Sequence, residues 1–173
     1  MLTYHNYKPH TSQHVAENVL NREFQSDYKA MKVLLTNIAE FKYVTNSKTY
    51  LIAILDYGDN KIVVFKLSHN NNALVSNTVI QIKDLIMPTK TLLHSDRGFQ
   101  YTPHFFKKFV EDHQITQSMS RVGKCIDNGP MENFYGIIKE EMYQLKTYET
   151  FKGLKNDVKQ YIEFYNTKHV TLK

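Results

Sequence analysis

Apolar and polar positions set out the elements of this chain before any single residue does. VLLTNIAEFKYV, YLIAILDY and KIVVFKLS are three β-branched and aromatic runs in succession. Asn46-Ser47 and Gly58-Asp59-Asn60 separate them, and such short turn-rich links predict consecutive antiparallel strands. In the first run, alternation places Leu35, Asn37, Ala39 and Phe41 on one face, so an amide sits in an apolar row. The period then changes. NNALVSNTVIQIKDLI has helical spacing, with Asn72 as its cap and Ala73, Leu74, Thr78, Ile82 and Leu85 on one side. TLLHSD and ITQSMS are short strands, and TPHFFKKFVEDHQ between them is an amphipathic helix opening on Thr102-Pro103. PMENFYGIIKEEMYQL predicts a helix with Met131, Phe134, Tyr135, Ile138 and Met142 inward. A last helix over about 148–168 carries Leu154, Val158, Tyr161, Ile162 and Tyr165 as its apolar stripe. Upstream, HVAENVLNREF suggests a short helix with Val15, Val19, Leu20 and Phe24 on one side.

The order βββ-α-β-α-β-α-α predicts an α/β domain. Its sheet is mixed and five-stranded, three antiparallel strands and then two more, with helices on both faces. That is the layout of the ribonuclease H-like fold. Residues 1–30 read as a leader segment and 31–173 as the domain.

Composition narrows the classes. A chain of 173 residues, 42% hydrophobic, suffices for one domain with a real core. Its net charge of +5 favours an anionic partner such as nucleic acid. The single cysteine, Cys125, excludes an internal disulfide and a zinc site built from several cysteines. There is neither an apolar run of membrane-spanning length nor a signal-peptide core. The expectation is a cytoplasmic protein with no membrane association and no organic cofactor.

Candidate chemistry gathers at three positions. Asp96 ends a short buried strand in HSDRG, where His94 and Asp96 alternate onto one face and Gly98 permits a tight turn. Glu132 lies in the first turn of the helix after Pro130, with 35 residues between it and Asp96. Asn37 lies in the first strand. Two-metal phosphoryl transfer requires clustered carboxylates, and two of three are present. Gly136 and Lys139 follow Glu132 on nearly the same helix face, where a phosphate backbone can approach. Arg121, Lys124 and Asn128 in the preceding loop are further candidates for phosphate contact. Each residue also has a plain structural role available. Asp96 can start a turn, Glu132 can complement a helix N-terminus, and Lys139 can be a solvated lysine.

The longer strings decide between these readings. HSDRGFQYT, ITQSMSRVGKCIDNGPMENFYGIIKEEMY and YIEFYNTKH resemble the integrase core of bacterial insertion-sequence transposases. These belong to the superfamily of enzymes with an Asp-Asp-Glu site that includes retroviral integrases. The resemblance implies that Asp96 is the second catalytic acid and Glu132 the third. Thr36-Asn37-Ile38-Ala39 matches a Thr-Asp-Ile-Thr motif, so Asn37 stands in place of the first acid. It further implies two Mg²⁺ or Mn²⁺ ions, DNA element ends and target DNA as partners, and a homo-oligomer on DNA. Cleavage and strand transfer are then expected to be impaired, or the chain to be an inactive remnant that keeps its DNA or subunit contacts. A ribonuclease H-like nuclease fits the strings less well. Leu34 where the family has Trp, and His169 where it has Arg, depart in the same direction, and the domain is expected to be C-terminally truncated with no helix-turn-helix ahead of it. Counting from a turn at Asn46-Ser47 puts Asp56 opposite Asn37, so Asp56 is expected as a candidate substitute metal ligand.

Overall fold

The computed structural model describes residues 16–24, 26–44, 47–70, 73–97, 104–123 and 125–168. Gly98, the Thr102-Pro103 cap, Asn72, Lys124, Val15 and His169 lie outside them. The sheet strands are β1 (Val33–Tyr43), β2 (Ser47–Asp56), β3 (Lys61–Ser68), β4 (Leu92–Ser95) and β5 (Thr116–Met119). The helices are α1 (Leu74–Val79), α2 (His104–Asp112), α3 (Gly129–Glu141) and α4 (Phe151–Lys168). Strand order across the five-stranded sheet is β3-β2-β1-β4-β5. β1, β2 and β3 pair antiparallel, and β4 and β5 add in parallel. This is the expected mixed sheet. It places β1 at the centre, between β2 and β4.

The two faces of β1 separate two cores. Leu35, Ala39 and Phe41 pack with Met131, Phe134 and Ile138 of α3 and with Leu154, Val158 and Ile162 of α4. Leu34 on the opposite face packs with Val75 and Val79 of α1 and with Phe106 and Val110 of α2. Every residue of the predicted α4 stripe is buried. On α3 the inward set is buried apart from Met142, which is half-buried just past the helix end.

Three local expectations do not hold. Residues 16–24 form no helix, because Asn21 and Arg22 take left-handed φ values of 46° and 63°. Their neighbours bond instead to β5 and the loop after it. The Val19 and Leu20 N–H groups donate to Ser118 Oγ, and Met119 N–H donates to the Glu17 carbonyl. The first helix of the core ends at Val79, and one 3₁₀ turn (Ile80–Ile82) continues it.

The third correction concerns Asp56. β1 and β2 pair Tyr43 with Ser47, so three residues separate the strands and Asn37 lies opposite Ala53. Asp56 lies opposite Leu34, on the other face from Asn37. Its carboxylate accepts from Met31 N–H (2.9 Å) and Gly58 N–H (3.0 Å), closing the turn after β2. A Cβ on Gly58 would lie 2.5 Å from the Lys29 carbonyl oxygen, so the turn demands glycine there. Asp56 is therefore a turn residue and does not lend a carboxylate to Asn37.

At Ile62 one side chain caps the outer edge of β3. Asn166 of α4 accepts from Ile62 N–H (2.8 Å) and donates to the Ile62 carbonyl (2.9 Å), as a neighbouring strand would. Asn166→Ala should cost about 1–3 kcal/mol in urea unfolding. Asn166→Asp should cost at least as much, since it sets an acceptor against that carbonyl. Equal stability of the parent and both variants would remove this role.

Candidate active site

Three separate elements bring Asn37, Asp96 and Glu132 to one cleft of about 400 Å³. Asn37 projects from the middle of β1, Asp96 follows the end of β4, and Glu132 sits in the first turn of α3. Arg97, Ser120, Arg121, Val122, Gly123 and Asn128 complete its lining. Asn37 and Asp96 are half-buried and Glu132 is exposed.

The backbone beneath Asn37 is held from α3. The Tyr135 hydroxyl shares its one proton between the Asn37 carbonyl (2.7 Å) and the Leu51 carbonyl (3.0 Å). Asn128 Nδ2 donates to the Thr36 carbonyl (3.0 Å). α3 is thus registered against β1 at Thr36 and Asn37. The Asn37 side-chain oxygen accepts from Ile38 N–H (2.8 Å).

The candidate DNA contacts divide. Asn128 is buried, one N–H of its amide is held by the Thr36 carbonyl, and its acceptor Oδ1 has no hydrogen-bond partner among the described residues. At 2% exposure and with its amide turned to the Thr36 backbone, Asn128 is a poor phosphate contact as placed, while the orphaned oxygen suits a cation or a donor group. Lys139 lies outside the cleft, its Nζ 5.7 Å from the centre of the Phe41 ring. Gly136 is exposed, and a Cβ there would meet nothing within 4 Å, so no internal contact requires a glycine in mid-helix. Arg121 lines the cleft and pairs with Asp127. Arg97, which the sequence reading passed over, also lines it and donates through Nε to the Ser120 carbonyl (2.7 Å). The only clue to it in the sequence is that it adjoins Asp96.

Two buried groups support the cleft from behind. Asp127, with a side chain 0% exposed, accepts five hydrogen bonds. Arg121 supplies three of them through N, Nε and Nη2, Arg22 supplies one through Nε (2.5 Å) and Asn18 one through Nδ2. The Arg121 hydrogen bonds, with Arg22 beside them, hold its pKa far below the usual carboxylate range. His94, also fully buried, lies between Ser118 Oγ (2.8 Å from Nδ1) and Ser120 Oγ (3.1 Å from Nε2). Ser118 Oγ already accepts two backbone N–H groups, so its hydroxyl donates to Nδ1 and the His94 Nε2–H donates to Ser120. Burial lowers the His94 pKa to about 4, partly opposed by Asp127.

These shifts set two windows of acid destabilisation. His94 is neutral in the fold and protonates more readily when unfolded, so stability falls as pH drops from about 6.5 to about 4, by about 3 kcal/mol. The depressed Asp127 acts at lower pH. Its contribution is present above about 3.8 and is lost as pH falls further towards its folded-state value. Urea unfolding at pH 7.5, 5.5 and 4 checks the first window. In His94→Gln the loss over that window should shrink, whereas an unchanged profile would exclude His94 as its source.

Integrase core domain models match residues 27–125 and 132–173. The putative transposase InsK of insertion sequence element IS150 from Escherichia coli is 34% identical over 98% of this chain and 60% of its own length. A transposase-like protein of Haemophilus influenzae is 35% identical over 91% of this chain and 72% of its own. The chain therefore spans well under the full length of the first relative. Among solved structures, the integrase catalytic core of HTLV-2 in complex with magnesium superposes with a TM-score of 0.60 at 17% identity, covering 84% of this chain and 93% of that one. The catalytic domain of Mos1 mariner transposase superposes with a TM-score of 0.62 at 9% identity, covering 78% and 74%. At those identities the likeness is one of fold.

Proposed function

Because this chain belongs to the integrase core domain family, among the insertion-sequence transposases of the retroviral integrase superfamily, we propose that it is a DNA strand-cleaving and strand-joining core whose catalysis is impaired at Asn37. The observation that carries this reading is the convergence of Asn37, Asp96 and Glu132 on one cleft from three elements. The substrate is DNA, both element ends and target, and copies of the chain assemble on it so that two ends are processed together.

The cleft suits a divalent cation in part. Asp96 and Glu132 bring two negative charges, and the orphaned Asn128 Oδ1 is the kind of neutral oxygen that hard cations accept. No group of three His, Cys, Asp or Glu side chains is placed to hold a metal among the described residues. The set therefore balances one divalent ion in charge and falls short of the three acids expected for two. When bound, Mg²⁺ or Mn²⁺ would supply activation of a hydroxyl and stabilisation of the leaving oxygen. Asp96 and Glu132 would hold it. Arg97 and Arg121 place positive charge along the same cleft, where a phosphodiester would lie.

Labelled terminal-repeat DNA, incubated with Mn²⁺ and target DNA, tests this. The unmodified chain should bind the DNA and show strand transfer at or near background, with any residual activity lost in Asp96→Asn and Glu132→Gln. Absence of DNA binding would end the reading. Robust strand transfer by the unmodified chain would end the claim of impairment. Asn37 equally supports a second reading, an inactive core that retains only its DNA or subunit contacts, and the Asn37→Asp variant separates the two.

A further inference from the structure

The Asp127 cluster joins two parts of the chain that the strand order leaves separate. Arg121 enters the loop after β5 and lines the cleft, with a side chain 47% exposed. Arg22 belongs to the segment ahead of β1, does not line the cleft, and has a side chain 39% exposed. Both guanidinium groups meet on one fully buried carboxylate.

The geometry leaves part of Arg121 available. A guanidinium carries five N–H donors, and Asp127 takes Nε and Nη2. That edge is fixed, so the remaining donors are held in one orientation at the rim of the cleft. Orientation alone is insufficient, because a single carboxylate paired with a single arginine is neutral. Arg22 changes that balance. With two arginines on one aspartate the cluster keeps one positive charge, and Arg121 is the member on the cleft.

The backbone supports an imposed placement. Asn21 and Arg22 both adopt positive φ (46° and 63°), a conformation that a side chain such as that of Arg22 rarely takes. The turn that holds them is closed by Asn18, whose Oδ1 accepts from Asn21 N–H while its Nδ2 donates to Asp127. The strained turn thus delivers the Arg22 side chain and the Asn18 amide to the same anion.

We propose that Asp127 and Arg22 are positioning residues that present Arg121 to a DNA phosphate at the rim of the cleft, Asp127 by orienting the guanidinium and Arg22 by keeping the cluster positively charged. The inference rests on the DNA reading above. It makes residues 18–22 part of the DNA-binding unit.

The test is the salt dependence of duplex binding, read by fluorescence anisotropy with parallel thermal melts. Arg22→Gln should weaken binding about 5–10-fold near 0.1 M salt and lower the slope of log K against log salt by about one, as losing a phosphate contact does. Arg22→Lys should keep the parental slope. In an Arg121→Gln background, Arg22→Gln should add little, since it acts through Arg121. Where Arg22→Gln alone fails to fold, Arg22→Gln/Asp127→Asn removes the buried charge with its partner, so the net positive charge and the parental slope should remain while loss of the orienting carboxylate weakens binding at every salt concentration. A parental slope in folded Arg22→Gln, full additivity with Arg121→Gln, or a slope reduced in the double variant would each overturn this inference alone. If the unmodified chain binds no DNA, the DNA reading falls and takes this inference with it.

Discussion

Asn37→Asp is expected to raise Mn²⁺-dependent nicking of DNA by about two orders of magnitude or more, and to raise Mn²⁺ affinity with it. The argument is electrostatic. The cleft holds Asp96 and Glu132 against Arg97 and Arg121, and an amide at 37 adds no charge. A carboxylate there adds one charge and a second oxygen, which bridging of two hard cations requires. A metal site contributes several kcal/mol to transition-state stabilisation, and each 1.36 kcal/mol is about tenfold in rate. The substitution is nearly isosteric, on a central strand whose backbone is pinned by Tyr135 and Asn128. Its cost is like-charge repulsion without metal, so Mn²⁺ should raise the melting temperature more in the variant than in the parent. If neither nicking nor Mn²⁺ binding rises, something other than residue 37 disables the cleft, and the remnant reading takes over.

How far the sequence carries depends on what encodes each feature. The α3 and α4 faces were legible because burial follows the helical period. Leu154, Val158, Tyr161, Ile162 and Tyr165 are all inside. The convergence of Asn37, Asp96 and Glu132 was legible only through the resemblance, since no local pattern reports a meeting of β1, β4 and α3. The register of β1 on β2 was misread because it depends on where the hairpin turns. The strands are separated by three residues rather than turned at Asn46-Ser47, and that shift of three moves Asp56 to the opposite face from Asn37. The Asp127 cluster was illegible for a different reason. Residues 18, 22, 121 and 127 share no period, and a segment that looked amphipathic gives up its helix to supply two of them.

Phe134→Ala should be the most destabilising single truncation near the cleft, by about 3–5 kcal/mol. Phe134 is fully buried on α3, edge-on to Tyr165 of α4 (5.1 Å between centres) and tilted against Tyr135 (5.2 Å). It lies in the core that joins α3 and α4 to β1. At this chain length that loss lowers the melting temperature by roughly 6–20 °C. The placement matters for chemistry as well. Tyr135 and Asn128, which register α3 on β1, flank this packing in sequence, and Glu132 lies two residues before it. A cavity at Phe134 should therefore loosen Glu132 against Asn37. Well below its melting temperature, Asn37→Asp/Phe134→Ala should show weaker Mn²⁺ affinity than Asn37→Asp, with Phe134→Leu between them. Affinity equal to that of Asn37→Asp in a folded but destabilised double variant would show that packing at Phe134 supports the fold without setting the geometry of the acids.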